Sequence, residues 1–168
     1  DDVLEGDGRH ADSCGGWMNE RRGSAFRPGP GPFCAGITLS PWGNRLANGQ
    51  WQHNGQTLQV PINEKSKNNA NHGLLIERVY DVAEHNADSI TLTTTIDAPA
   101  GYPFKVETVV TYRLTDAGLV VTHTAVNHSS EPAPYAVGAH PYFTISGTAT
   151  GDLMLQTGAK MVSIYDEQ

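Results

Sequence analysis

The sequence predicts an all-β fold, and three observations carry that reading. Long segments alternate apolar and polar residues and are rich in β-branched side chains. An Asn-Gly dipeptide separates two short extended runs. No stretch keeps a helical apolar period over ten or more positions, so helix is minor. Long antiparallel strands with little helix imply a sandwich or barrel, because a half-apolar sheet must bury one face against a second layer.

Taken in order, residues 1–36 hold eight Gly and three Pro and run into Arg27-Pro28-Gly29-Pro30-Gly31-Pro32. Proline lacks the backbone donor and glycine costs chain entropy, so residues 1–35 read as an irregular head and a candidate for disorder. A β-sandwich domain is expected over 36–168. Gln50–His53 and Gln56–Val60 flank Asn54-Gly55, which supplies the two positive-φ residues of a type I′ hairpin. Ser89–Asp97 places Ile90, Leu92, Thr94 and Ile96 on one face. Phe104–Leu114 and Leu119–Asn127 alternate on either side of Thr115-Asp116-Ala117-Gly118, which predicts a long antiparallel hairpin. Tyr135–Val137 and Leu153–Leu155 read as further short strands, and no internal repeat is visible.

Composition narrows the function. Leu, Ile, Val and Phe make up about one residue in five, and only four of them fall in residues 1–36, so the core belongs to the body. The net charge is −7 and Arg21-Arg22 is the only basic cluster, which disfavours nucleic acid as a partner. No apolar run approaches the ~20 residues of a membrane span. The start Asp1-Asp2-Val3 has neither the basic nor the apolar region of a secretory signal, so a cytoplasmic location and free thiols at Cys14 and Cys34 are expected. The missing initiator methionine reads as a fragment of a longer protein.

Histidine is the richest source of candidate chemistry, with His10, His53, His72, His85, His123, His128 and His140. Its titration near neutrality suits proton transfer to or from oxygen. Taken singly, His72 in its polar loop and His140 at a strand end are more simply solvated residues than catalysts. His123 reads as a strand residue, and His53 and His85 as solvated turn residues. No His-Glu-x-x-His pattern or close His/Cys pair points to a metal, and no nucleophile elbow or phosphate loop is present. Asn127-His128-Ser129 matches a glycosylation sequon that is incidental without export. The Asn, Gln and Trp content of residues 41–72 suits a sugar, whose hydroxyls need paired donors and acceptors, and equally suits a polar loop bundle.

Four ordered segments resemble the aldose 1-epimerase family. Asn44-Arg45, Gly49 and Trp51 resemble its NR-x-x-x-G-x-[YFW] segment. Gly55, Leu58, Val60 and Asn63 resemble G-x-x-[YL]-x-[LV]-x-x-N. Asn69-Ala70-Asn71-His72-Gly73 resembles N-x-x-HG, and His140-Pro141-Tyr142-Phe143 resembles H-P-Y-F. The resemblance spans residues 36–146 and implies a galactose-mutarotase-like β-supersandwich, here incomplete. It implies cofactor-free interconversion of the α and β anomers of a free aldohexose. By motif, His140 would be the acid on the ring oxygen, His72 and Arg45 would bind and polarise the sugar, and Asn44 would support Arg45. The family's base is a glutamate far beyond the H-P-Y-F element. The sequence ends 25 residues after Phe143, and Glu167 lies too close to that element to serve. The chain alone is therefore expected to aggregate readily and to speed mutarotation little. A non-catalytic carbohydrate-binding or purely structural sandwich remains the alternative, although a structural domain needs neither histidine.

Overall fold

The computed structural model describes residues 34–145 and 147–162, so all but the last two residues of the expected head lie outside the described residues. The described part is built from β1 (Thr38–Leu39), β2 (Arg45–Ala47), β3 (Gln50–His53), β4 (Gln56–Gln59), β5 (Asn69–Asn71), β6 (Asp81–His85), β7 (Ser89–Asp97), β8 (Lys105–Thr115), β9 (Gly118–Asn127) and β10 (Gly138–Ala139). Short 3-10 turns at Lys65–Lys67 and Thr150–Asp152 are the helical elements among the described residues. No described helix is long and apolar enough to cross a membrane.

The antiparallel meander β6-β7-β8-β9 is the main sheet, and β1–β10, β2–β5 and β3–β4 form three two-stranded pairs. The β3–β4 hairpin turns at Asn54 (φ 48°) and Gly55 (φ 75°), the expected pair of positive-φ residues. The β8–β9 hairpin also forms as expected, one residue tighter at each end: Thr115 and Gly118 join the ladder and leave Asp116-Ala117 as a two-residue link. The Thr115 hydroxyl closes that link by donating to Gly118 O at 2.9 Å.

Alternation on β7 and β8 aims Ile96, Val106, Thr108 and Val110 at one face, where all four are buried. There they meet Val60, Ala70, Leu75, Tyr102 and Phe104, edged by the half-buried Trp42, Trp51 and Tyr135. The indole N–H groups of Trp42 and Trp51 keep partners by donating to Ala70 O (3.3 Å) and Gly101 O (2.8 Å). Toward the β8–β9 turn the same face opens, and Leu114 and Leu119 are 63% and 57% exposed.

Two expected strands do not form. Pro132 and Pro134 remove donors ahead of Tyr135–Val137, and Ala136 N donates instead to Pro41 O at 2.8 Å. Leu153 follows the 3-10 turn, and Met154 and Leu155 are 94% and 79% exposed with no strand beside them among the described residues. Cys34 is buried and disulfide-bonded, which corrects the expectation of a free thiol; that expectation rested on compartment, which says nothing of whether a buried sulfur has a partner in reach. Cys14 lies outside the described residues.

Truncating Ile96, which is fully buried, should cost about 2–5 kcal/mol in Ile96→Ala, because the ring of packed neighbours collapses only in part. Val82→Ala at a half-exposed position should stay within about 0.5 kcal/mol. Urea midpoints check both. A second expectation concerns His123, half-buried on β9 with its Nδ1 lacking a hydrogen-bond partner among the described residues. Burial lowers its pKa below the ordinary 6.5. A depressed pKa means that the unfolded chain takes up the proton first. The stability from this site is therefore full above pH 6.5 and drains away as pH falls through the lowered value. Urea midpoints at pH 7.5 and 5 should differ less in His123→Gln than in the parent chain.

Candidate active site

The segment Ile37–Ser40 is paired on both of its sides. On one flank β10 runs antiparallel to β1, with Thr38 opposite Ala139 and Leu39 opposite Gly138. Gly36 N donates to His140 O (2.9 Å) and His140 N donates to Ile37 O (3.2 Å), which carries the pairing onto His140. On the other flank Ser40 bridges Gly73 in parallel, and Leu74 N donates to Ser40 O at 2.7 Å. Gly73 has φ +81°, and a Cβ there would run into the Ser40 carbonyl, so only glycine permits this approach. The two pairings bring His72 and His140 to one place. Their ring centroids are 5.4 Å apart at 78°.

His72 itself takes a left-handed backbone (φ 61°), as does Asn44 (φ 68°). Non-glycine residues in this region need holding, and His72 N donates to Asn44 O at 2.8 Å. Asn63 braces the preceding residue: its side chain accepts from Asn71 N (2.6 Å) and donates to Asn71 O (2.8 Å), as a neighbouring strand would. Burial lowers the His72 pKa, with the charges of His140 and Arg45 adding to the effect and Glu64 opposing it. The ring is therefore neutral at neutral pH, and its Nδ1 is buried without a hydrogen-bond partner among the described residues.

Arg45 stands opposite Asn71 in the β2–β5 pair, next to the His72 turn. Its Nε and Nη2 donate to the two carboxylate oxygens of Glu64, each at 2.7 Å, and Nη1 donates to Asn44 Oδ1 at 2.9 Å. Glu64 is 6% exposed, and Asn69 Nδ2 also donates to it at 3.1 Å. The Arg45 guanidinium holds the Glu64 carboxyl below the usual carboxylate range, against the upward pull of burial. Beside His140, the Tyr142 ring stacks at 5.4 Å and 14°.

Of the residues singled out by sequence, His72 and His140 lie in contact, Arg45 and Asn44 are hydrogen-bonded, and the Arg45 charge acts on His72. The pairing of Arg45 with Glu64 was not foreseen: the two lie 19 residues apart, and no local pattern announces the pair. His53 is not a solvated turn residue: it is half-buried, edge-on to Phe104 at 5.2 Å. His85 is exposed on β6, and His128 lies 3.1 Å from Glu107 on the sheet surface. A cavity of about 290 Å³ lined by His85, Asp88, Tyr112, Leu114 and Leu119 sits at the far end of the sheet and includes neither His72 nor His140. No cluster of three or more His, Cys, Asp or Glu suited to a metal occurs among the described residues. Two imidazoles and a fixed guanidinium side by side can bind a hydroxylated molecule and move protons on and off oxygen near neutral pH.

The fold recurs in known proteins. The aldose 1-epimerase family profile matches residues 27–163. The uncharacterized protein YihR of Escherichia coli (strain K12) is 41% identical over 133 residues, covering 79% of this chain and 43% of YihR. A galactose mutarotase related enzyme from Lactobacillus acidophilus superposes with a TM-score of 0.55 at 28% identity, over 68% of this chain and 37% of that one. A galactose mutarotase-like protein from Clostridium acetobutylicum gives 0.55 at 26% identity, over 61% and 32%. The GalM/aldose epimerase homologue of C. elegans, at 24% identity and 0.59 over 68% and 35%, shares the fold. The chain thus spans less than half the length of the relatives it matches. With its motifs, its β architecture and most of its length matched, the chain belongs to the aldose 1-epimerase family.

Proposed function

We propose that this chain binds a free aldohexose and supplies the acid and the sugar-polarising groups for interconversion of its α and β anomers. The contact between His72 and His140 beside the fixed Arg45 carries this reading. In the reaction a base takes the proton of the C1 hydroxyl, the bond from C1 to the ring oxygen breaks, and His140 delivers a proton to that oxygen. The open aldehyde rotates about C1–C2 and closes on its other face, with both protons returned in reverse. His72, neutral through burial, hydrogen-bonds a sugar hydroxyl, and Arg45 polarises the sugar while Asn44 holds the guanidinium. The reaction needs no cofactor, because both transfers are of protons.

The base is the open role. Among the described residues Glu64 is the carboxylate that acts on His72, and both its oxygens are committed to Arg45. Glu107 faces His128 and Thr93 on the sheet. This favours, as a second reading, a chain that binds sugar without turnover.

Saturation-transfer NMR with D-glucose and D-galactose should show saturable binding that Arg45→Ala weakens. Polarimetric decay of the freshly dissolved α anomers should stay near the buffer rate, since Glu64 and Glu107 are both engaged elsewhere and a positioned proton-transfer group is worth ~10²–10⁴ in rate. Absence of saturable binding would sink the sugar reading. A decay rate proportional to protein and abolished by His140→Asn would overturn the second reading, since the acid–base pair would then be complete. Binding should also weaken on acidification. Because the His72 pKa lies below 6.5, the neutral ring is intact at pH 7 and is lost as pH falls through that lowered value. In His72→Gln this acid limb should flatten.

A further inference from the structure

We infer that Glu64 is a positioning residue of the sugar site, acting through Arg45 and Asn44, and is not the base that takes the C1 hydroxyl proton. The inference rests on the sugar-binding reading above. Glu64 is nearly inaccessible, and its oxygens take both donors of one edge of the Arg45 guanidinium and the Asn69 amide. A base must present a lone pair to substrate, whereas these are directed inward and the Arg45 charge weakens their basicity.

The backbone of Glu64 is fixed as firmly as its carboxylate. Glu64 N donates to Asn69 O (3.0 Å) and Asn69 N returns the bond to Glu64 O (3.1 Å), closing the loop of residues 64–69 against β5. The carboxylate then reaches across to Arg45 on β2. From Arg45 the restraint passes to the Asn44 side chain, and the Asn44 carbonyl receives the His72 N–H. One buried charge thereby orients the guanidinium and steadies two left-handed residues at the site.

The test is a double-mutant cycle in the full chain, with D-galactose affinity by saturation-transfer NMR and urea midpoints alongside. Glu64→Gln should weaken binding about ten- to hundredfold, the scale of a small misplacement of a binding group. In the Arg45→Ala background the same change should cost nothing further, because its route is gone. Glu64→Asp should recover part of the loss, and it replaces Glu64→Gln if that variant does not fold. Unchanged affinity in Glu64→Gln overturns the proposal, as does an equal loss with Arg45 already removed. A sugar-independent measurement separates this outcome from failure of the sugar reading. The Arg45 Nε–H should exchange slowly with solvent in the parent chain and in His140→Asn, and fast in Glu64→Gln. Fast exchange in the parent chain overturns the clamp whatever the sugar does.

Discussion

The double pairing of Ile37–Ser40 is the constraint on which the site depends. A strand of two residues has too few hydrogen bonds to persist alone, and β1 exists because both of its edges are used. One edge fixes the backbone of His140 and the other fixes Gly73, one residue beyond His72. The side chains meet because their main chains share a scaffold. Backbone pairing also explains why Gly73 has no substitute: the Ser40 carbonyl occupies the space a Cβ would need. The site is therefore specified first by steric exclusion and main-chain hydrogen bonds, and only then by side-chain chemistry.

Electrostatics builds on that scaffold. A buried carboxylate is costly unless paired, and an unpaired guanidinium beside two imidazoles would oppose any positive charge on them. The Arg45–Glu64 pair answers both problems at once. It satisfies Glu64 in its buried position and counters the Arg45 charge, so that Glu64 partly offsets the depression of the His72 pKa. What remains is governed by burial. His72 stays neutral at pH 7 through desolvation first and through its charged neighbours second.

Much of the main sheet was legible in the sequence. Ser89–Asp97 and the β8–β9 hairpin follow from period-two alternation, and Asn54-Gly55 from turn chemistry; both signals are local. The strands that carry the site were not legible, because β1, β2, β5 and β10 are two or three residues long and are held by partners distant in sequence. The motif resemblance supplied His72, His140, Arg45 and Asn44, none of which stood out by residue type alone. The tie of Glu64 to Arg45 escaped because it lies in burial and in a pair 19 residues apart. Tyr135–Val137 failed in the opposite direction: its side chains suit a strand, but the prolines before it deny the ladder its donors.

The division between the long sheet and the short strands has a physical logic for function. On β7, β8 and β9 every residue is locked in register over nine or ten pairs, so side chains can point only to one face or the other. Such a ladder is stiff, and it anchors the core through Ile96, Val106 and Val110. It cannot easily bend several polar groups toward one small molecule. Left-handed residues at Asn44 and His72, with Gly73 between His72 and the next core residues, give the backbone that freedom where it is needed. Their strain is sustained because Asn44 and His72 hold each other and the Arg45–Glu64 pair holds Asn44. Rigidity in the sheet and curvature in the short strands are therefore complementary: the ladder supplies the foundation, and the irregular chain above it brings the two imidazoles into contact and holds the guanidinium on Glu64 and Asn44.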